Sequence, residues 1–216
     1  MKKLILLSTA AAVSLATPAI AREKAWYIEA DAGAVAFENS EITGAGTGST
    51  LNTETGYDFG GIVGYDFGMF RLEAEASYRR AHVQDYTVLG TQFTGNMPGG
   101  SSALSGMVNG MFDFGPDDGL QAFVGGGVGV GRGKVQAFAP IGANINDSDT
   151  RFAYQALAGI RYPLNESVDF GLKYRFFNID NLSLIDAAGT PVETRLRSHS
   201  LLATLAYNFG GAPAPV

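Results

Sequence analysis

Alternation of apolar and polar residues with a period of two is the feature that most limits how this chain can fold. It is clearest over residues 70–79, FRLEAEASYR, where apolar and charged or hydroxyl side chains take turns. Successive side chains of a β-strand point to opposite faces, so this segment predicts a strand with one apolar and one polar face. In a soluble sandwich the polar face would meet water, and that interpretation stays open at this point.

Seven further segments alternate in the same way and are 10 to 14 residues long. Strands of globular proteins average about 5 or 6 residues, whereas tilted strands that cross a membrane need about 9 to 11. The lengths therefore favour a membrane barrel over a soluble sandwich. The seven segments are residues 26–37, 56–67, 103–114, 120–132, 152–162, 168–177 and 196–209.

The connections between these segments alternate in length. Three are tight turns, at residues 67–69, 115–119 and 163–167, and four are long and polar, at residues 38–55, 81–102, 133–151 and 178–195. This pattern predicts an all-β fold, an eight-stranded antiparallel up-and-down transmembrane β-barrel. The long connections would face the outside of the cell, and both termini would lie in the periplasm.

Aromatic residues recur near the segment ends, where a lipid-facing barrel places its aromatic girdles. The last segment puts Leu205, Tyr207 and Phe209 on one face. A final strand that ends in an aromatic residue resembles the C-terminal signal read by the machinery that inserts outer-membrane barrels. We therefore expect these three residues to form an insertion signal.

The first residues predict export. Lys2 and Lys3 precede an apolar run at residues 4–16, and small residues at Ala19 and Ala21 suit a signal peptidase. The run is shorter than the about 20 residues that a membrane-spanning helix needs. We expect residues 1–21 to be a cleaved signal peptide, residues 22–209 the barrel, and residues 210–216 a Gly/Ala/Pro tail or the start of a hinge.

Composition excludes several classes of function. Without Lys2 and Lys3 the chain has 13 basic and 21 acidic residues, a net charge of −8, which argues against a nucleic-acid partner. The absence of cysteine excludes disulfides, thiolate zinc sites and a cysteine nucleophile. With His82 and His199 as the two histidines, we expect neither a multi-histidine metal centre nor a cofactor.

Four motifs resemble the barrels of OmpA-type and opacity-protein-like surface antigens. They are WYIEADAG at 26–33, FVGGGVG at 123–129, AGIRY at 158–162 and YNF at 207–209. The resemblance implies an outer-membrane location in a Gram-negative bacterium, with outer-membrane lipid, lipopolysaccharide and the insertion machinery as partners and a surface ligand held by the loops. Its degenerate motifs indicate the family and no particular activity.

Full-length OmpA-type proteins continue through an Ala/Pro hinge into a peptidoglycan-binding domain. Residues 210–216, GGAPAPV, resemble the start of that hinge. The chain is thus either a barrel-only member or a truncated copy, and peptidoglycan binding is not carried over to it.

Three polar features invite a catalytic or ligand-binding interpretation. The glycine-rich stretch 125–134 lacks the spacing of a phosphate loop, and glycine has a structural use in curved strands.

His199 lies between two serines, and lipid A deacylases use a serine and a histidine on a similar barrel. Adjacent side chains of a strand point to opposite faces, so neither serine lies on the same face as His199, and an interfacial histidine is expected. Residues 144–149, NINDSD, lack the spacing of a calcium loop and predict a solvated loop.

Charges on the inward faces are the most informative polar set. The alternating pattern places five acids and five bases on the inward faces of the predicted strands. The lumen of an eight-stranded barrel is only wide enough for side chains. Unpaired buried charge costs several kcal/mol, so we expect these groups to pair across the interior. They are Glu29, Asp31, Asp58, Glu73 and Glu75 with Arg71, Arg79, Arg161, Lys173 and Arg175.

The sequence therefore predicts a structural or surface protein, not an enzyme, that supports envelope integrity or surface recognition. One alternative is a small porin-like channel for very small solutes. Another is a lipid-modifying barrel enzyme, which requires a nucleophile and base that the sequence does not place together. A third, a soluble lipocalin-like barrel, requires an apolar interior.

Overall fold

The fold is built from β-strands. The computed structural model describes residues 25–38, 40–44, 47–53, 55–88, 91–94, 99–116, 118–137, 145–185, 189 and 191–209. The predicted signal peptide and the predicted C-terminal tail lie outside these residues. Over the described ranges, no helix has the length and apolar character needed to span a membrane.

Eight long strands form a closed antiparallel ring, as the sequence predicted. In ring order they are β1 (Ala25–Phe37), β4 (Gly56–Asp66), β5 (Phe70–Val88), β7 (Gly99–Phe114), β8 (Gln121–Ala137), β9 (Ile145–Pro163), β10 (Val168–Ile185) and β11 (Pro191–Asn208). The ring closes because β1 pairs with β4 along one edge and with β11 along the other. The first and last strands are therefore both interior to the sheet.

Tight turns join β4 to β5, β7 to β8 and β9 to β10, and we call this end of the barrel the short-turn end. Gly68 and Gly115 have φ values of 105° and 116°, a backbone region that glycine occupies without a steric cost. The opposite, long-connection end carries three short strands, β2 (Ser40–Gly44), β3 (Thr47–Thr53) and β6 (Thr91–Thr94). β2 and β3 form a hairpin, and β3 and β6 both pair with the outer part of β5.

The strands extend further toward the long-connection end than the sequence predicted. Residues 81–102 were expected to form a loop, yet β5 continues to Val88 and β7 begins at Gly99. The same correction applies to 133–151, where β8 and β9 extend, to 178–195, where β10 and β11 extend, and to 38–55, which contains β2 and β3. In β10 the register shifts between Ile179 and Leu182, which breaks the period of two in the sequence, while backbone pairing continues and Leu182 and Leu184 stay buried.

The outer wall is apolar around the ring. Large side chains exposed on it include Phe59, Val63, Leu104, Val108, Val128, Phe170, Leu201 and Leu205. An apolar outer face on a closed sheet is the arrangement that a hydrocarbon surrounding requires. The inward positions of the same strands are buried.

The interior has two zones. Charged side chains occupy its middle and its short-turn end together with two small apolar clusters, and a larger apolar cluster fills the part toward the long-connection end. That cluster contains Val35, Phe37, Ala81, Ala103, Met107, Ala153, Phe177, Ile179, Leu182 and Leu196. The expectation of a charged interior therefore describes only part of the lumen, because inward positions beyond Arg79 and Arg175 carry apolar side chains.

Large inward side chains fit because glycines face them. An added Cβ at Gly64 would collide with the Tyr27 ring inside the barrel, whereas a Cβ at Gly61, on the outward face of the same strand, would meet nothing within 4 Å. We expect Gly64→Val to lower the free energy of unfolding by about 1–3 kcal/mol through overpacking. The matched variant Gly61→Val should leave it nearly unchanged. Urea titration of the refolded barrel measures both, and equal effects would contradict this account of lumen packing.

Candidate functional site: the charged interior

The ten charged residues singled out in the sequence all face the lumen. They come from five of the eight barrel strands, namely β1, β4, β5, β9 and β10. Eight of them are buried, and Glu29 and Arg161 are half-buried. The alternation of each strand determines this placement, since a shift of one residue would turn these charges toward the outer wall.

Arg175 is the centre of the network. Its guanidinium contacts Asp31 at 2.6 Å, Asp58 at 3.0 Å and Glu75 at 3.1 Å. Glu75 lies on β5, four strands around the ring from β10, so this contact spans the lumen. Lys173, one inward position away, binds Glu29 at 2.7 Å and Asp31 at 2.8 Å.

A second group of ion pairs lies toward the short-turn end. Arg71 forms a bidentate pair with Asp113, at 2.6 Å and 3.0 Å, and contacts Glu73 at 3.3 Å. Arg161 contacts Asp66 at 3.3 Å and Asp113 at 3.5 Å. Asp113 therefore links the two arginines, which lie on strands β5 and β9.

Neutral side chains add hydrogen bonds to acids that also contact a base. The Tyr27 hydroxyl donates to Glu73 at 2.6 Å. The side-chain amides of Asn109 and Gln155 each donate to the same oxygen of Glu75 at 2.9 Å. These hydrogen bonds matter because a buried carboxylate with free lone pairs carries a desolvation cost.

Arg79 joins the two zones of the interior. It donates to Ser77 at 2.8 Å and Ser105 at 3.2 Å, and its nearest acid, Asp58, lies 3.8 Å away. The guanidinium carbon lies 3.7 Å from the centroid of the Phe177 ring, which belongs to the apolar cluster. A cation on an aromatic face is stabilised there, so Arg79 connects the charged network to the apolar cluster through Phe177.

The sequence reasoning missed two acids. Asp66 and Asp113 belong to the ion pairs, so the network among the described residues has seven acids and five bases, and the expected balance of five with five was wrong. The signal was present, since Asp66 shares the phase of Asp58 on β4 and Asp113 shares the phase of the inward residues of β7. Both lie within the predicted segments 56–67 and 103–114, next to the turns, and were left out of the set of inward charges.

His199 lies on the outer wall. Its ring nitrogens bond the Tyr174 hydroxyl at 2.7 Å and Glu38 at 2.9 Å. The hydrogen bond from His199 lowers the pKa of the Glu38 carboxyl, which lies just beyond β1. The neighbouring Ser198 and Ser200 are buried inside the barrel, so neither lies beside His199 as a nucleophile would.

The aspartates of the predicted solvated loop have structural partners. Asp149 accepts the backbone N–H of Ser183 at 3.0 Å, and Asp147 accepts that of Ile185 at 2.9 Å. These carboxylates take the place of strand carbonyls where the pairing of β9 with β10 has ended. No group of three or more potential ligands suited to a metal ion occurs among the residues that the structure describes.

The three residues of the expected insertion signal share the outer wall. Leu205, Tyr207 and Phe209 are exposed, and the rings of Tyr207 and Phe209 pack edge to face at 5.2 Å. The Phe209 N–H donates to the Trp26 carbonyl at 2.8 Å, which continues the β1–β11 pairing to the end of the strand. An apolar, aromatic edge is thus presented at the short-turn end.

Comparison with known proteins agrees with this geometry. A model of the outer membrane protein beta-barrel domain matches residues 5–209. The candidate adhesin RP828 of Rickettsia prowazekii (strain Madrid E) is 25% identical, over 97% of this chain and 100% of its own length. The outer membrane protein PagN of Salmonella typhimurium is 24% identical, over 74% of this chain and 77% of its own.

A solved structure shows the same fold. The outer membrane protein OprG from Pseudomonas aeruginosa superposes with a TM-score of 0.59 at 17% identity, covering 88% of this chain and 98% of that one. At this level of identity the likeness concerns the fold alone.

Removing two acids from the network should weaken and open the barrel. We expect Glu73→Ala/Glu75→Ala to lower the free energy of unfolding by about 3–5 kcal/mol, because Arg71 and Arg175 lose buried counter-charges. In planar bilayers the unmodified protein should show little or no steady conductance, and the variant occasional small openings.

The matched control is Glu166→Ala/Glu193→Ala, which removes the same charge from exposed positions. It should change neither urea unfolding nor conductance. Large, stable channels in the unmodified protein would contradict a filled lumen, and equal destabilisation by the two double variants would contradict a role for the buried pairs.

Proposed function

The chain belongs to the family of outer membrane protein beta-barrel domains, and from this premise we propose that it is a surface protein whose filled barrel holds its long connections outside the cell for recognition. The resemblance seen in the sequence is confirmed, and the protein is an outer-membrane β-barrel of a Gram-negative bacterium. Barrels of this class place short turns in the periplasm and long connections outside.

The filled interior is the observation that carries the proposal. Ion pairs occupy its middle, and the apolar cluster occupies the part toward the long-connection end. A barrel of eight strands whose lumen is filled by side chains is suited to support and display rather than to passage of solutes. This favours the structural and surface role over the porin-like alternative.

Two observations support recognition of a surface ligand by the long connections. Strands β8 to β11 extend toward the long-connection end beyond the segments whose alternation marks the lipid-facing wall, which gives the connections a rigid base. RP828, which this chain matches over nearly its whole length, is named for adhesion. We propose adhesion to a surface ligand through these connections, with outer-membrane lipid and lipopolysaccharide around the wall.

A lipid-modifying activity has less support. The bonding partners of His199 are Tyr174 and Glu38, and the adjacent serines face the lumen. A nucleophile and its base need to lie within hydrogen-bond reach. We therefore propose a non-enzymatic role.

Adhesion is tested by expressing the protein in a non-adherent bacterium and measuring attachment to host cells and matrix proteins. Four variants each replace the middle of one long connection, within residues 38–55, 81–102, 133–151 or 178–195, by a short Gly-Ser turn. We expect the unmodified protein to raise attachment at least tenfold and one or more variants to abolish it, while a heat-modifiability gel still shows a folded barrel. If bacteria that express the unmodified protein attach no better than the same bacteria without it, the adhesive role is refuted.

The C-terminal edge gives a separate prediction about assembly. We propose that Leu205, Tyr207 and Phe209 are read by the insertion machinery after export by residues 1–21. Phe209→Asp should then reduce the amount of protein in the outer membrane at least tenfold, measured by membrane fractionation. Phe67→Asp is the matched control, since Phe67 is an equally exposed aromatic residue at the short-turn end but follows β4. Equal loss for both variants would indicate a general effect of charge in the aromatic girdle.

A further inference from the structure

Three basic residues on the outer wall take no part in the lumen network. Lys134 falls within the range 133–151 that the sequence predicted as a connection, but in the structure it lies on β8. Arg80 on β5 and Arg132 and Lys134 on β8 occupy outward positions toward the long-connection end. Arg80 is half-buried, and Arg132 and Lys134 are exposed. We define these three residues as the wall cluster.

Strand register brings the wall cluster together. Arg80 pairs with Ser102 on β7, and Ser102 pairs with Lys134, so the two cations lie in one row two strands apart. At about 4.8 Å between strands, their Cα atoms are about 10 Å apart. Arg132 lies one outward position below Lys134, about 7 Å along the strand. Long side chains at this spacing converge on a single anionic group or on a pair of them.

The wall cluster lies at the upper edge of the apolar wall. The row that contains Arg132 continues through the apolar and aromatic residues Leu104, Tyr78 and Phe59, and Tyr57 pairs with Arg80 in the row above. Arg80 lies ten residues beyond Phe70, the aromatic residue at the other end of β5, a rise of about 25 Å for a strand tilted by about 40°. This is the height of the apolar band of an outer-membrane barrel, so the cations emerge at the level of the lipid headgroups.

No carboxylate among the described residues pairs with Arg80 or Lys134, and Arg132 bonds only the Ser148 hydroxyl, at 3.0 Å and 3.3 Å. The nearest acids on β9, Asp147 and Asp149, are turned toward β10, where they accept backbone N–H groups. The opposite side of the barrel differs. There Arg197 pairs with Glu38 at 3.3 Å.

We propose that the wall cluster binds the phosphate groups of lipopolysaccharide in the outer leaflet. Arginine and lysine at a membrane surface attract anionic headgroups, and arginine binds phosphate with two parallel hydrogen bonds. The long-connection end faces the outer leaflet, and the cations lie at the upper edge of the apolar band, at the level of the headgroups. This inference rests on the proposed orientation and deepens the proposed lipopolysaccharide contact, and it would orient the barrel and hold one lipid on one side of it.

Native mass spectrometry of the detergent-purified barrel tests the site, with bisphosphorylated lipid A, lipid A without phosphates, and phosphatidylglycerol as probes. We expect bisphosphorylated lipid A to bind at least tenfold more tightly than the other two. Arg80→Gln/Lys134→Gln should weaken that binding roughly 30-fold, since each basic residue near an anionic surface contributes about fivefold.

The matched control is Arg195→Gln/Arg197→Gln, which removes two cations from β11 on the other side and should weaken binding less than threefold. Adding salt should weaken binding to the unmodified protein, a readout that needs no variant. The proposal would be overturned if the two double variants lost the same affinity for bisphosphorylated lipid A. It would also be overturned if lipid A without phosphates, or phosphatidylglycerol, bound the unmodified protein as tightly as bisphosphorylated lipid A does. Adhesion by the long connections is measured separately and does not depend on this result.

Discussion

A strand that crosses a bilayer must find partners for all of its backbone N–H and C=O groups, because hydrocarbon offers none. In this chain the requirement is met by pairing β1 with β11 from Tyr27↔Asn208 to Phe37↔Ser198, which closes the sheet on itself. An open edge on either strand would leave a row of unsatisfied groups in lipid. Closure also separates an inside from an outside, and every other feature of the molecule follows from that separation.

With eight strands, the enclosed space is narrow enough for side chains to meet across it. Arg175 can therefore bond acids on β1, β4 and β5 at once, and Asp113 can link arginines on β5 and β9. Such pairs do not make the barrel more stable than a well-packed apolar interior would. Removing one member is costly all the same, because its buried partners then keep fewer counter-charges.

The same alternation that fills the lumen also shapes the outer wall. Outward positions carry an apolar belt, and the wall cluster and the Glu38–His199 pair lie at its upper edge on opposite sides of the barrel. Among the described residues, Arg80 and Lys134 on one side have no carboxylate partner, whereas Arg197 on the other side pairs with Glu38. The proposed recognition at the long-connection end and the proposed lipid binding at the wall involve different parts of one barrel.

The sequence could predict the strands that cross the membrane, where lipid outside and a filled lumen inside impose a period of two. It ended the strands too early because β10 shifts register between Ile179 and Leu182, although inward residues such as Leu182 and Leu184 stay apolar and buried beyond that shift. The sequence reasoning also missed Asp66 and Asp113, although both share the inward phase of their strands, because the inward charges were not followed to the ends of the predicted segments.

The sequence by itself determined the eight strands of the barrel, their order along the chain and which faces of their membrane-crossing parts point inward, because these depend on local periodicity. Only the tertiary structure decided which charges meet, since Arg175 and Glu75 are brought together by closure of the ring and by register. The division of the lumen into charged and apolar zones was likewise decided there, because the height of a residue inside the barrel depends on how its strand is staggered against its neighbours.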